Sequence, residues 1–162
     1  MRADRGRSLS DSAPAEAAKA ACLRYLSQRE HSRAELLRKL RSKGYEEALA
    51  CEVIGGLGEE GLQSDERYVE IFIRSRVAKG YGANRIRQEL RQRGVGGEGM
   101  EDRLRAYDWD ELLEGVYARK YGGGSLVSPR EYAARVRFLI QRGFSQNQIQ
   151  ALFKRLRQNK EK

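Results

Sequence analysis

Arginine side chains occur in this sequence at spacings that place several guanidinium groups on one side of a helix. Arg87 and Arg91 lie four residues apart, so in a helix they project from the same face. A guanidinium group can bind a carboxylate or a phosphate through two parallel hydrogen bonds. The pattern predicts a surface for phosphate groups or acidic side chains, and a solvated basic face is the alternative. The candidate contact residues are Arg74, Arg76, Lys79, Arg85, Arg87, Arg91, Arg93, Arg135, Arg137, Arg142, Lys154, Arg155 and Arg157.

The distribution of charge along the chain supports an anionic partner. The chain has a formal net charge of +9 and a pI near 9.8. The excess is concentrated in two blocks, with +4 over residues 62–97 and +7 over residues 125–162, whereas residues 98–124 give −3. A basic chain of this kind attracts polyanions or an acidic protein surface.

No arrangement of residues in the sequence indicates catalysis. His31 is the only histidine, and neither a Ser-His-Asp nor a Cys-His arrangement has support elsewhere in the chain. The glycines within residues 94–99 resemble a nucleotide-binding loop, but a predicted helix precedes them where a strand is required. We therefore predict a protein that is not an enzyme and needs no cofactor, with His31 in a structural role.

Acidic and sulfur-containing side chains offer two further alternatives. Asp108, Asp110 and Glu111 could bind a hard cation, but they fit better as favourable negative charge at the start of a helix. The chain has no zinc-ligand spacing, so no metal site is predicted. Cys22 and Cys51 lie far apart among apolar helix positions, which favours buried thiols over a disulfide or a reactive site.

Composition favours an all-α fold. Charged residues make up 34% of the chain, there are only two prolines, and no strand pattern competes with the helical ones. No apolar segment approaches the ~20 residues needed to span a bilayer, and the N-terminal residues have no apolar centre typical of a secretion signal. We expect a cytoplasmic protein without membrane association, in which residues 1–14 form a disordered tail.

Helical periodicity and capping signals predict the elements that position the basic residues. A helix over about residues 15–28 would have Leu23 and Leu26 inward, and a capping box at Ser32 and Glu35 begins the next helix. Equivalent start signals for the last two helices are Ser128, Pro129 and Glu131, and then Ser145 and Gln148.

The segment over residues 65–95 predicts two helices joined by a glycine-marked corner. The second helix, over about residues 83–93, has Ile86 and Leu90 facing inward and ends at Gly94, since glycine readily takes left-handed backbone. The predicted inward stripe of the first helix is Tyr68, Ile71, Phe72 and Ser75.

Three glycines reveal an internal repeat. Gly44, Gly94 and Gly143 each follow a leucine four residues earlier and a basic residue directly before. Their spacing, about fifty residues, is typical of helical arrays. We therefore predict three tandem three-helix repeats, over residues 15–61, 62–109 and 110–162, that form an elongated, curved array. The shared inward positions after each glycine are Ala50, Ile54 and Leu57, then Met100, Leu104 and Tyr107, then Ile149, Phe153 and Leu156.

The segment DERYVEIFIRSRVAKGYGANRIRQELRQRGV resembles the signature of the RecX family of bacterial recombination regulators. The first repeat, RYLSQREHSRAELLRKLRSKGY, is similar to that family's first unit, and FLIQRGFSQNQI matches the third unit more loosely. One departure is Tyr81, where the family usually has a basic or small residue between the two corner glycines. The corner residues that support the resemblance in the first repeat are Arg29, Glu30, Ser32, Glu35 and Leu36.

The resemblance implies a non-enzymatic regulator that binds the recombinase RecA, free or as a filament on single-stranded DNA. Family members lie in the helical groove of that filament and inhibit ATP hydrolysis, strand exchange and stimulated repressor cleavage, which dampens recombination and the SOS response. We expect a monomer, and weak direct DNA binding is compatible with this mechanism. The alternative is a protein that binds single-stranded DNA directly and competes with RecA for the strand, with an affinity that falls steeply as salt increases.

Overall fold

The structure is a computed structural model that describes residues 9–122 and 128–159. Over these residues the fold is all-α, as predicted, with nine helices and no strand. The helices are α1 (Leu9–Gln28), α2 (Arg33–Ser42), α3 (Glu47–Glu59), α4 (Asp65–Ala78), α5 (Ala83–Gln92), α6 (Glu98–Arg105), α7 (Trp109–Tyr121), α8 (Pro129–Arg142) and α9 (Gln146–Gln158).

Helix α1 differs from its prediction in where it begins and in which face it buries. It starts at Leu9, six residues before the predicted start, and includes Pro14, so residues 9–14 of the predicted tail belong to the helix. Residues 1–8 of that tail lie outside the described residues. The prediction that Leu23 faces inward is wrong, because its side chain is 39% exposed. The small residues Ala18, Ala21 and Cys22 form the buried face instead, since short side chains let neighbouring helices approach closely.

The N-terminal unit comprises the chain up to Tyr68 together with Arg93–Val95. Helices α1, α2 and α3 pack on one another within it. Its core contains the predicted stripe Ala50, Ile54 and Leu57, all at most 1% exposed. Burying a leucine or isoleucine side chain contributes about 1.5–3 kcal/mol, so this stripe provides much of the stability of the unit.

The predicted capping box at the start of α2 is confirmed. The Ser32 hydroxyl accepts a hydrogen bond from the Glu35 amide at 3.1 Å, and the Glu35 carboxylate accepts one from the Ser32 amide at 3.3 Å. Glu35 also accepts hydrogen bonds from Arg29 at 3.1 Å and from the Tyr68 hydroxyl at 3.3 Å. Burial together with this carboxylate raises the pKa of Tyr68 to about 12. The corner is therefore a polar network with a buried carboxylate at its centre, and it connects the residue that follows α1 with α2 and the first turn of α4.

The C-terminal unit comprises Val69–Gln92 and the chain from Gly96 onward. Its best-defined core lies among α7, α8 and α9, where Leu113, Leu139 and Phe153 are at most 2% exposed. The predicted inward residues Ile86 and Leu90 of α5 are confirmed, each at 0% exposure.

The predicted stripe of α4 is wrong for two of its four members. Ile71 is 48% exposed and Ser75 is exposed, whereas Val69 and Ile73 are 4% and 1% exposed. Tyr68 and Phe72 belong to both stripes. The observed face is the more apolar one, since Val69 and Ile73 take the places that the prediction gave to Ile71 and Ser75.

The three repeat glycines end their helices in left-handed backbone, with φ of 89° at Gly44, 77° at Gly94 and 100° at Gly143. In the C-terminal unit, the end of α8 packs directly on the start of α5. The Gly82 amide donates to the Arg142 carbonyl at 2.7 Å, and the Asn84 amide donates to the Gly143 carbonyl at 3.0 Å. A β-carbon added at Gly82 would lie 2.5 Å from the Gly143 backbone, so this contact requires glycine.

The N-terminal unit contains an equivalent contact. There the Ser32 hydroxyl donates to the Arg93 carbonyl at 3.5 Å, and a β-carbon at Gly94 would lie 2.6 Å from that of Ala34. A glycine that ends one helix thus packs against the start of a helix that begins about sixty residues earlier, in both units. The predicted repeat boundaries at residues 61 and 109 stay predictions. The described residues include no helix that is both long and apolar enough to cross a membrane.

Candidate anion-binding surfaces

Six of the predicted contact residues lie on α4 and α5 or just after α4, within the C-terminal unit, and we call them the α4–α5 face. Its members are Arg74, Arg76, Lys79, Arg85, Arg87 and Arg91. Six others lie on α8 and α9 in the same unit, and we call them the α8–α9 face. Its members are Arg135, Arg137, Arg142, Lys154, Arg155 and Arg157.

Glu101 of α6 neutralises the pair of arginines that the sequence placed on one side of α5. Arg87 donates two hydrogen bonds to its carboxylate, at 2.7 and 3.0 Å, and a third to the Asn84 side chain at 3.0 Å. Arg91 lies 3.8 Å from the same carboxylate. The hydrogen bond from Arg87 is the main reason that the pKa of Glu101 is lowered. An incoming anion would therefore have to compete with Glu101 for Arg87.

Glu89 of α5 has the same role for two further arginines. Its carboxylate accepts a hydrogen bond from Arg76 at 2.7 Å and another from Arg85 at 3.0 Å. Burial raises the pKa of Glu89, but the hydrogen bonds and charges of Arg85 and Arg76 outweigh burial and lower it overall. Arg76 is only 22% exposed, so its guanidinium group is part of the packing of the unit.

Tyr81 organises the arginines around the glycine corner. The guanidinium groups of Arg85 and Arg142 lie 4.2 and 5.0 Å from its ring centre, within the range of cation–π contact. Arg142 also donates to the Lys79 carbonyl at 3.0 Å. The departure from the family pattern at Tyr81 therefore supplies an aromatic ring that holds two predicted contact residues in place.

The remaining α4–α5 residues, and Arg93, differ in their surroundings. Arg74 is 68% exposed and pairs with Glu70 at 2.8 Å, one turn earlier on α4. Lys79 is exposed. Arg93 belongs to the N-terminal unit, where it is half-buried and its carbonyl accepts from Ser32.

Three members of the α8–α9 face have partners within the C-terminal unit. Arg135 donates to the Tyr117 hydroxyl at 2.6 Å, and its guanidinium group lies 4.7 Å from the Tyr121 ring centre. Arg155 forms an ion pair with Glu114 at 2.8 Å. Arg142 is held by Tyr81 as described above. The guanidinium groups of Arg135 and Arg155 are thus held against residues of α7, and that of Arg142 against Tyr81. Each of the three arginines therefore has only part of its charge accessible to a ligand.

The other three members are exposed cations. Arg137, Lys154 and Arg157 form no ion pair with any residue that the structure describes. Arg157 lies 6.0 Å from the Tyr132 ring centre, at the outer limit of cation–π contact. Together with Lys79 on the α4–α5 face, these residues are the exposed positive charges among the predicted contacts that have no described carboxylate partner.

A shallow pocket beside α9 includes two of these cations, and we call it the α9 pocket. Its volume is about 330 Å³, and it is lined by Tyr132, Gln150, Phe153, Lys154, Arg157 and Gln158. Four of its residues, Gln150, Lys154, Arg157 and Gln158, follow each other at helical spacing on one face of α9. The rings of Tyr132 and Phe153 lie 4.8 Å apart, so the pocket has an aromatic floor with amides and cations around it.

The sequence interpretation missed the carboxylates that neutralise the α4–α5 face, and of the residues that line the α9 pocket it named only Lys154 and Arg157 as contacts. Glu89 could have been found, because it lies four residues after Arg85, where side chains on a helix meet. Glu101 lies on a different helix from Arg87, so no local spacing indicates the pair. Tyr132 lies close to the basic residues of α8 and α9 and lines the pocket, but its place beside Lys154 and Arg157 follows from packing and not from local spacing.

The other sequence candidates have structural roles. Asp108 caps α7 by accepting hydrogen bonds from the Asp110 and Glu111 amides at 3.1 and 3.0 Å, which confirms the helix-start interpretation. His31 is 2% exposed, and its Nδ1 lies 3.0 Å from the Arg29 carbonyl. Cys22 is buried, Cys51 is half-buried, and both are free thiols. In the part of the chain that the structure describes, no three acidic, histidine or cysteine side chains are placed to hold a metal ion.

Comparison with known families gives two matches. The RecX second three-helix domain matches residues 64–102, and the RecX first three-helix domain matches residues 18–57. The chain is 45% identical over 126 residues to a Regulatory protein RecX of Pseudomonas putida strain GB-1, with 76% of this chain and 81% of that protein covered. The chain belongs to the RecX family. A second RecX regulatory protein, from Halorhodospira halophila, is 40% identical over 141 residues, which cover 86% of this chain and 88% of the relative.

Solved RecX structures share this fold. The crystal structure of RecX from Lactobacillus salivarius superposes with a TM-score of 0.75 at 26% identity, covering 90% of this chain and 97% of that one. A second crystal structure of regulatory protein RecX gives a TM-score of 0.74 at 22% identity, covering 87% of this chain and 72% of the other. The RecX assignment accounts for the all-α fold. The relatives are named as regulatory proteins, which is consistent with the absence of a catalytic pattern in the sequence.

Proposed function

We propose that this protein binds the RecA filament on single-stranded DNA and inhibits its ATPase, strand-exchange and coprotease activities, thereby modulating DNA repair, recombination and the SOS response. Membership of the RecX family is the observation that supports this function, through relatives 40% and 45% identical that are named as regulatory proteins. The proposed partner is RecA, the protein acts as a monomer in the cytoplasm, and it needs no cofactor.

The surface chemistry supports an anionic partner of this kind. A nucleoprotein filament presents phosphate groups. An exposed cation without an intramolecular carboxylate partner can bind a phosphate without first breaking an ion pair, whereas a paired cation loses the free energy of that pair. Arg137, Lys154 and Arg157 meet that condition among the described residues. We therefore place the main charged contacts on the α8–α9 face, with the α4–α5 face contributing where an anion can displace Glu89 or Glu101.

Titration of RecA's DNA-dependent ATP hydrolysis with this protein tests the function directly. RecA and single-stranded DNA are held fixed at physiological salt while the concentration of the protein increases. We expect full inhibition at concentrations well below those needed to coat the DNA, because a filament regulator acts on the assembly. Inhibition only near saturation of the DNA would favour simple competition for the strand, and no inhibition would contradict the proposal.

Charge reversal on the α8–α9 face tests the proposed contact. The triple variant Arg137→Glu, Lys154→Glu, Arg157→Glu should raise the concentration for half-inhibition by about tenfold or more, since like charge opposing an interface costs several kcal/mol. The matched control is the triple variant Arg24→Glu, Arg38→Glu, Lys43→Glu, three exposed residues of the N-terminal unit, which should inhibit like the parent protein. Equal inhibition by all three proteins would contradict the α8–α9 face as the contact.

Glutamine variants suit the α4–α5 face better than charge reversal. Glutamate at positions 87 and 91 would place new carboxylates beside Glu101, where Arg87 now makes hydrogen bonds of 2.7 and 3.0 Å. That arrangement would disturb the unit itself and confuse folding with binding. Arg91→Gln removes a charge that is 66% exposed, so its effect on inhibition measures the contribution of this face.

A further inference from the structure

The α9 pocket combines three kinds of group that a single nucleotide can use. The half-buried Tyr132 ring lies on α8, while Lys154 and Arg157 lie on the exposed face of α9. Gln150 and Gln158 add two side-chain amides at the edges. Its volume of about 330 Å³ is at the lower end of the range for small-ligand sites, about 300–1,000 Å³.

The cations of this pocket are available to a ligand. Lys154 is exposed, and neither it nor Arg157 forms an ion pair with a described residue. By contrast, Arg155 on the same helix is paired with Glu114 at 2.8 Å. Lys154 and Arg157 therefore differ from Arg155 in having no described carboxylate partner, and a phosphate group of a ligand could take that place.

The amides and the ring favour a nucleotide over a carboxylate group as the ligand of this pocket. A carboxylate only accepts hydrogen bonds, so the carbonyl oxygens of Gln150 and Gln158 would gain nothing from it. The edge of a nucleobase has both donors and acceptors, which match the two ends of a glutamine amide. An aromatic side chain additionally offers a surface for base stacking, whatever the base.

We propose that the α9 pocket binds one nucleotide of single-stranded nucleic acid, with the base against Tyr132 and the phosphates at Lys154 and Arg157. This inference deepens the proposed function and rests on it, because the strand of the filament is the ligand that function would supply. The pocket would then give the regulator a contact with the strand in addition to its contacts with protein.

The test measures binding of the full chain to a fluorescein-labelled oligothymidylate by anisotropy, without RecA. Tyr132→Leu should weaken binding at least about fivefold, because stacking on one base is worth ~1 kcal/mol or more. Tyr132→Phe should bind like the parent, since it keeps the ring. Lys154→Gln with Arg157→Gln should reduce the slope of log affinity against log salt by about 1.4, which corresponds to two phosphate contacts on a single strand.

The control removes the same charge elsewhere. Arg38→Gln with Lys43→Gln, both exposed in the N-terminal unit, should leave affinity and salt slope close to those of the parent. Thermal unfolding of each variant, followed by circular dichroism, checks that Tyr132→Leu has kept its fold. If it has not, the variant Lys154→Gln with Arg157→Gln provides the test. Equal effects of the two double variants would overturn the pocket, because they would reflect net charge alone.

A competition experiment addresses the acidic-peptide alternative. Poly-glutamate and unlabelled oligothymidylate are compared as competitors at equal charge concentration. We expect the oligonucleotide to displace the probe at a concentration at least about fivefold lower; equal displacement would overturn the nucleotide assignment in favour of an acidic protein surface. The ATPase titration is a separate measurement. If the pocket variants bind the oligonucleotide like the parent, the inhibition of RecA can still be tested, and if RecA is not inhibited, binding of the strand can still be measured.

Discussion

The α4–α5 and α8–α9 faces contain similar numbers of basic residues, yet they differ in what surrounds those residues. On the α4–α5 face, Glu89 and Glu101 each bind two arginines, so much of the positive charge is used within the unit. On the α8–α9 face, Arg137, Lys154 and Arg157 have no described carboxylate partner. The comparison shows that the positive charge of a sequence overstates the charge left unpaired on the surface, because nearby acidic residues neutralise part of it.

The supply of acidic residues explains the difference. The block 98–124, which contains Glu101, has a net charge of −3, whereas the block 125–162 has +7. Helix α6 therefore delivers carboxylates to α5, while the only described acidic residue in the later block is Glu131 at the start of α8. The described part of the later block therefore offers a single carboxylate for the basic residues of α8 and α9.

The largest expected effect concerns the contact that joins the start of α5 to the end of α8. Gly82→Ala should lower the free energy of unfolding by about 2 kcal/mol or more, because its β-carbon would lie 2.5 Å from the Gly143 backbone, which cannot move without displacing α8. Urea denaturation followed by circular dichroism measures the change.

The matched control for that substitution is Gly96→Ala. Its β-carbon would meet only the Arg91 Cγ at 3.9 Å, and its backbone is not left-handed. We expect a change within about 0.5 kcal/mol. If Gly82→Ala changed the free energy of unfolding as little as this control, the contact between Gly82 and Gly143 would not be needed to hold α5 and α8, and with them the two faces, in place.

An intermediate effect is expected when one arginine of each face is replaced and the free energies of unfolding are compared. Arg87→Gln should lower the free energy of unfolding by about 1 kcal/mol, because it removes a two-bond ion pair whose arginine is only 27% exposed. Arg157→Gln should change it by less than about 0.5 kcal/mol, since an exposed side chain without an ion pair contributes little. Equal values from urea denaturation would remove the structural distinction between the faces.

The smallest effect is a dependence on pH. The lowered pKa of Glu89 and Glu101 means that their contribution to stability is present above the ordinary glutamate value of 4.5 and is lost as pH falls through the lower folded-state pKa. Glu89→Gln should therefore reduce the acid-induced loss of stability, by less than about 1 kcal/mol for such partly exposed pairs. Urea midpoints at neutral pH and below pH 4 give the comparison.

The α8–α9 face provides the internal reference for this measurement. Lys154→Gln with Arg157→Gln should leave the pH dependence of the urea midpoint as in the parent, because no described carboxylate pairs with either residue. A flatter profile in this double variant would mean that these cations do stabilise a carboxylate of the folded chain.

Much of the fold follows from local signals in the sequence. The capping boxes at Ser32 and Ser145 were predicted from residues three apart, and both form. The stops at Gly44, Gly94 and Gly143 were predicted from the repeat, and all three glycines have the positive φ that such a stop uses. These features depend on one turn of backbone, so neighbouring residues are enough to specify them.

Predictions of helix orientation were less successful. Leu23 of α1 and Ile71 of α4 were placed inward and are 39% and 48% exposed. A long helix with apolar residues on more than one side has several possible buried faces, and the choice depends on the shape of its neighbours. On α1 the buried residues are Ala18, Ala21 and Cys22, although the alanine side chain is smaller and less hydrophobic than that of leucine.

The sequence by itself determined the all-α class, the repeat of glycine stops and the caps, because each depends on residue types at fixed spacing. It indicated the RecX family through the resemblance of whole segments to that family's repeats. Only the tertiary structure decided which arginines are neutralised and which remain available. Ion pairs form between side chains that packing brings within about 4 Å, and Arg87 and Glu101 are fourteen positions apart on different helices. The free charge on a surface is thus a property of the packed chain, since it depends on where the anions lie as well as the cations.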